Sequence, residues 1–136
     1  MAATIPATRT DIGLLVLRVG TAAIVLFHGV AKLANGVEWI KQPLGALGLP
    51  GFLSYGTYVA EVAAPLLLIV GLWTRLAALA ISFDMFMAVV LVLRSQAFAI
   101  KEAGGGWAIE LEALIFFAAL ALVFTGGGRL GIQRQS

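Results

Sequence analysis

Four stretches of this chain are apolar and close to membrane-spanning length: 14–34, 52–72, 76–93 and 107–125. A helix needs about 20 such residues to cross a hydrocarbon core of about 30 Å. In that medium the helix is favoured because it satisfies its backbone polar groups internally. The pattern predicts an all-α integral membrane protein, an antiparallel four-helix bundle folded as one transmembrane domain over residues 1–136. Asn35-Gly36 closes the first stretch and Pro50-Gly51 precedes the second. Only Trp73-Thr74-Arg75 separates the second from the third, which forces a tight hairpin. Glycine triplets at 104–106 and 126–128 frame the fourth. Trp39, Trp73 and Trp107 fall at or beside the ends, where an amphipathic ring prefers the headgroup layer.

Composition agrees. Hydrophobic residues make up 61% of the 136 and charged residues 12%, about half the ~25% of soluble domains. This excludes a disordered tail, a nucleic-acid binder and most soluble enzymes. A net charge of +2 is too small to suggest a polyanion partner. With no cysteine, disulfides, thiolate nucleophiles and cysteine-ligated metals are excluded. A cleaved signal peptide fits poorly, because Arg18 interrupts the first apolar run and no clean cleavage site follows it.

Four spans put both termini on one side. With that side cytoplasmic, it carries Arg9, Arg75, Arg129 and Arg134 against Lys41, Arg94 and Lys101 opposite. The bias favours cytoplasmic termini slightly. The segment 37–50 is semi-apolar and too short to span, so it is expected to lie on the bilayer surface or dip into it.

Seven titratable residues fall inside the predicted spans: Arg18, His28, Lys32, Glu61, Asp84, Glu110 and Glu112. A charge at the bilayer centre costs roughly 2.5–3.5 kcal/mol even on a lenient scale, so each needs a partner or a water-filled site. At 100° per residue, Arg18, His28 and Lys32 share an arc of about 80° on the first helix. That polar stripe should face the bundle interior. Glu110 and Glu112 are about 200° apart, so only one of them can point inward. Depth along antiparallel helices predicts two groups. One joins His28, Lys32 and Glu61 with Glu110 or Glu112, as candidates for ligand binding or proton relay. The other is a structural ion pair of Arg18 with Asp84. Counting two cations against four carboxyls, at least one carboxyl is expected to hold a proton or His28 a charge. Pro65 adds that the carbonyl of Glu61 loses its helical hydrogen bond.

Other motifs carry less. Gly104 to Gly106 lacks the flanking residues of a phosphate loop. One histidine does not build a zinc or haem site, and a metal held by Glu61, Glu110 and His28 lacks recognisable ligand spacing. No metal site, and no catalytic residue, is assigned. Met85, Met87 and the phenylalanines of the last two helices read as packing residues.

Arg18-Val19-Gly20 through His28-Gly29-Val30-Ala31-Lys32 resembles the first-helix signature of the DoxX family of small bacterial membrane proteins. Glu61 with Leu66 to Arg75 resembles its second-helix block, Met85 with Ala88 its third, and Thr125 to Leu130 its C-terminal signature. The resemblance runs over about residues 12 to 132. It implies a four-helix, multi-pass protein of the bacterial cytoplasmic (inner) membrane with cytoplasmic termini. It also implies a relation to DoxD, a subunit of thiosulfate:quinone oxidoreductase. The positions it carries over are Arg18, His28, Lys32, Glu61 and one of Glu110 or Glu112.

Three functions fit these residues. The first is a quinone-linked oxidoreductase component, with the polar group donating protons to a quinone and a soluble or membrane redox partner supplying electrons. No covalent or metal cofactor is indicated on the chain itself. The second is a binding or transport module for a lipid or small molecule. The third is an assembly subunit of a larger membrane complex.

Overall fold

The computed structural model describes residues 6–102 and 104–133, which are helical and contain no strand beyond one isolated bridge between Ile100 and Trp107. Five helices are used below: α1 (Arg9–Asn35), α2 (Lys41–Ala46), α3 (Gly51–Val70), α4 (Thr74–Leu91) and α5 (Glu110–Thr125). Arg134 lies outside the described residues.

Helix α1 starts on a reciprocal cap. The Asp11 amide donates to the Thr8 hydroxyl at 3.2 Å, and the Thr8 amide donates to the Asp11 carboxylate at 2.8 Å. Two otherwise orphaned donors are satisfied in this way. The helix runs 27 residues and stops where the Gly36 amide returns to Lys32 O at φ +80°.

Helix α3 is irregular for a reason written in its sequence. It opens as a 3-10 turn over Gly51–Tyr55 and widens to a π turn over Val59–Ala63, where the Ala64 amide reaches back to Val59 O. Pro65 follows with no amide to give, so Glu61 sits where the ladder is already interrupted. The helix ends at Gly71, in the left-handed region at φ +74°. Trp73, at φ +48°, completes a reversal of three residues into α4.

The C-terminal half of α3 packs on α1 and on α4, α4 packs along α5, and α5 returns to α1. Ala22, Val25, Leu68, Ala78, Ile81 and Leu122 are fully buried between them. Phe27, Leu114, Phe117 and Phe124 point outward, and small residues at the contacts let the backbones approach as in bilayer packing.

Among the described residues, three helices are long and apolar enough to cross a membrane: Arg9–Asn35, Gly51–Val70 and Thr74–Leu91. The fourth expected span begins three residues later than the sequence suggests. Ile100 and Trp107 form an isolated bridge, the Trp107 indole donates to Ala97 O at 2.6 Å, and the chain is still a turn at 108–109. Helix α5 therefore has 16 residues, about 24 Å of rise.

The segment expected on the bilayer surface is folded. A 3-10 turn at Glu38–Ile40 leads into α2, and Val37, Ile40 and Leu44 form a second small core with Leu49, Tyr58 and Leu91. This cap closes the end of the molecule opposite the start of α1.

At the other end, the C-terminal segment is latched to the hairpin. The Ile132 amide donates to Val70 O at 2.9 Å, the Gln133 amide to Gly71 O at 3.0 Å, and the Trp73 amide to Gln133 Oε1 at 2.9 Å.

Candidate functional site

Beneath the 37–55 cap lies a cavity of about 420 Å³ between α1, α3 and α4. Small-molecule sites span roughly 300–1,000 Å³. Trp39 aside, its polar lining comes from Lys32, Thr57, Glu61 and Asp84, and the remaining walls are apolar.

Lys32, one turn before the end of α1, directs its ammonium to Glu61 Oε1 at 2.5 Å. Glu61 is only 2% exposed and the Lys32 side chain 19%. The expected meeting of these two residues is what the structure shows. Gly29 makes it feasible, since a Cβ there would overlap the Glu61 carbonyl oxygen and stand 2.9 Å from Val62 Cγ2. The missing side chain lets α1 approach the π turn closely enough for Lys32 to reach across.

Asp84 belongs to this site, not to Arg18. Its carboxyl lies beside that of Glu61 and within reach of the Lys32 charge. The predicted Arg18–Asp84 pair does not form. Instead the Arg18 guanidinium, 2% exposed, donates from Nε to Leu68 O at 3.0 Å, from Nη1 to Gly127 O at 3.0 Å, and from Nη2 to Leu130 O. Backbone carbonyls at the end of α3 and in the folded-back C-terminal segment take the place expected for a carboxylate. Asp11 holds the same segment by accepting from the Arg129 amide at 3.1 Å.

The other three expected members stay apart. His28 is half-buried and does not line the cavity. Glu110 is exposed in the first turn of α5, where it pairs with Lys101 at 2.9 Å. Glu112 is half-buried beside a separate apolar cleft between α4 and α5 that includes Phe86 and Phe116. Both fail to reach Glu61 because α5 packs chiefly on α4 and begins only at Glu110. Among the described residues, no three His, Asp or Glu side chains converge as metal ligands.

Sequence reasoning missed Asp84 as the third group of the site, Thr57, and the cap that roofs the cavity. A signal for Asp84 was present. Glu61 and Asp84 stand eleven and twelve residues on either side of Leu72, the centre of the hairpin. Residues equidistant from a tight reversal share a depth.

The chemistry on offer is a half-buried ammonium and two carboxyls at one end of an apolar chamber. Val59 and Phe83, which line the chamber, are 60% and 63% exposed on the outer faces of α3 and α4. The mouth thus opens sideways within the apolar spans.

A model of the DoxX family matches residues 13–94. The chain belongs to the DoxX family. The matched region contains Arg18, His28, Lys32, Glu61 and Asp84, and excludes α5 with its two glutamates. The chain is 30% identical over 123 residues to "Putative oxidoreductase CatD" of Bacillus subtilis (strain 168), covering 90% of this chain and 86% of the relative. It is 32% identical over 121 residues to an uncharacterized protein of Haemophilus influenzae (strain ATCC 51907 / DSM 11121 / KW20 / Rd), covering 88% and 87%. No solved structure matches. As a DoxX protein with three membrane-length helices, the chain is an all-helical membrane protein.

Proposed function

We propose that this DoxX protein is the membrane component of a quinone-linked oxidoreductase, and that the Lys32–Glu61–Asp84 cavity holds the quinone ring. The observation that carries the reading is the pairing of an apolar, bilayer-facing chamber with an ammonium and two carboxyls at its inner end. A quinone taking up two electrons also takes up two protons at its oxygens. Acidic groups and an ammonium within hydrogen-bond reach are the means of supplying them. The electrons come from a soluble or membrane redox partner, since the chain carries no redox-cofactor motif of its own. The oxidoreductase name of the Bacillus relative supports the same class of reaction.

In this reading α5 crosses the bilayer as a fourth span, with the bilayer locally thinned to match its length. The protein sits in the bacterial inner membrane with both termini cytoplasmic. The Arg18 latch then lies toward the cytoplasm and the cavity toward the outer leaflet.

A second reading is favoured by the lateral mouth: an apolar chamber open to acyl chains also suits a lipid or other amphiphile, bound or carried. Extraction of the protein, purified in mild detergent, with organic solvent separates the readings. Stoichiometric quinone supports the first and stoichiometric lipid the second. An empty extract with a co-purifying protein overturns both in favour of an assembly subunit.

A further inference from the structure

We propose that Glu61 and Asp84 hold one proton between them and that Lys32 passes it to an oxygen of the bound quinone. The transfer rests on the reading of the cavity as a quinone site and adds the order in which its groups act. The shared proton does not depend on that reading.

Hydrogen bonding and charge both carry the shared proton. A hydrogen bond joins the Asp84 carboxyl to that of Glu61, and two carboxyls bond to each other only through a proton on one of them. Glu61 Oε2 and Asp84 Oδ2 are buried, and among the described residues no amide, hydroxyl or ammonium donates to either. Buried acceptors without a donor are costly, and one proton held between the carboxyls removes that cost. Charge agrees. Lys32 brings one ammonium to two carboxyls, so a single proton on the pair makes the group neutral. A second buried negative charge would have no counter-ion. The other titratable groups nearby do not line the chamber. His28 lies off it, Tyr58 donates to Lys32 O at 3.2 Å, and Glu38 and Lys41 of the cap pair with each other.

Position sets the order. Glu61 Oε2 and Asp84 Oδ2 are shut off from the chamber, whereas Lys32 lines it with its side chain 19% exposed. An ammonium carries three donors, and Lys32 spends one on Glu61 Oε1 at 2.5 Å. The others remain for a ligand oxygen. Lys32 is thus the group that touches the ring, and Asp84 acts through Glu61 behind it. Once the ring has taken two electrons from the redox partner, Lys32 gives it a proton: an Nζ–H bond breaks and a ring O–H bond forms. The shared proton then crosses from Glu61 to Nζ, which restores the ammonium and leaves both carboxyls ionised. Water supplies the ring's second proton and the one that reloads the pair.

The test is infrared spectroscopy of the intact protein in an ester-free detergent at neutral pH. The resting protein should show the carbonyl band of a protonated carboxyl, and Asp84→Asn should lose it. The protein is then loaded with excess decyl-benzoquinone, which is reduced by a flash-excited soluble donor. In the wild type the band should bleach and recover as water reloads the pair. Lys32→Arg keeps the positive charge but has no proton to give, so its band should not bleach. A resting spectrum without the band, or a band that survives in Asp84→Asn, overturns the shared proton. No bleach in the wild type, or an equal bleach in Lys32→Arg, overturns the transfer through Lys32 while the cavity remains a quinone site. The wild-type spectra decide both points even if neither variant folds. Failure of the decyl-benzoquinone to bind, measured by calorimetry, overturns the quinone reading and the transfer with it, and the resting band still decides the shared proton.

Discussion

Gly29 of α1 lies against the main-chain carbonyl of Glu61, with no room for a side chain between them. That contact sets the separation of α1 and α3 at the level of the cavity, and so the reach of Lys32 to Glu61. Gly29→Ala is expected to destabilise the protein by about 1–3 kcal/mol through overpacking. It should also weaken ligand retention, since the helices part at the site. Thermal unfolding in detergent with quantified co-purified ligand measures both, whereas Gly20→Ala, in open space, should leave both unchanged.

Lys32 and Glu61 form a pair whose carboxyl is buried. Removing either partner leaves the other charge uncompensated, a loss that reaches about 3–5 kcal/mol for fully buried pairs. The partial exposure of Lys32 places this one lower. Lys32→Met and Glu61→Gln should therefore each destabilise, and the double variant should lose less than their sum. A coupling of about 0.5–3 kcal/mol in a double-mutant cycle is expected, and strict additivity would show that the pair does not interact.

The legible parts of this molecule were those fixed by local rules. Hydropathy and glycine punctuation placed α1, α3 and α4 within a few residues, and Pro65 announced the interruption at Glu61. The Lys32–Glu61 meeting followed from helical angle and depth. The partners of Arg18 were not legible, because three carbonyls brought together by a folded-back tail leave no side-chain pattern. The roof over 37–55 was hidden for a similar reason: its three short helical turns depend on packing against Tyr58 and Leu91, not on propensity. Glu110 and Glu112 misled because apolar residues 107–109 read as helix while the chain there is still a turn.

Arg18 ties α1 to α3 and to the C-terminal segment through three backbone acceptors. A lysine keeps the charge but not the fork. Arg18→Lys should lose about 1.5–3 kcal/mol for each hydrogen bond it cannot remake. The 126–133 segment should become the first site of proteolysis. Limited digestion followed by mass spectrometry checks this, and an uncut tail at unchanged stability would contradict it.

The cap is pinned by Lys41, which meets Glu38 at 2.6 Å and the Tyr55 hydroxyl at 3.4 Å. Hydrogen bonding to Lys41 holds the Glu38 carboxyl below its ordinary value, and the bond to Glu38 raises Lys41 above its own. The acid's contribution is present above its unfolded pKa and lost as pH falls through the lowered value. The amine's is present below its unfolded pKa and lost as pH rises through the raised one. The cap should therefore loosen below about pH 4 and above about pH 10.5. Amide exchange over 37–55, corrected for intrinsic rates, should show both limbs, and Glu38→Gln should flatten them.

Photolabelling with an azido-quinone in native membranes tests most directly that the chamber between α1, α3 and α4 is the ligand site. Labels concentrated on peptides from 37–61 and 80–92, lost when excess unlabelled quinone competes and reduced in Asp84→Asn, are the predicted result. Labels spread over the outer faces of α1 and α5, with no competition and no response to Asp84, would contradict it.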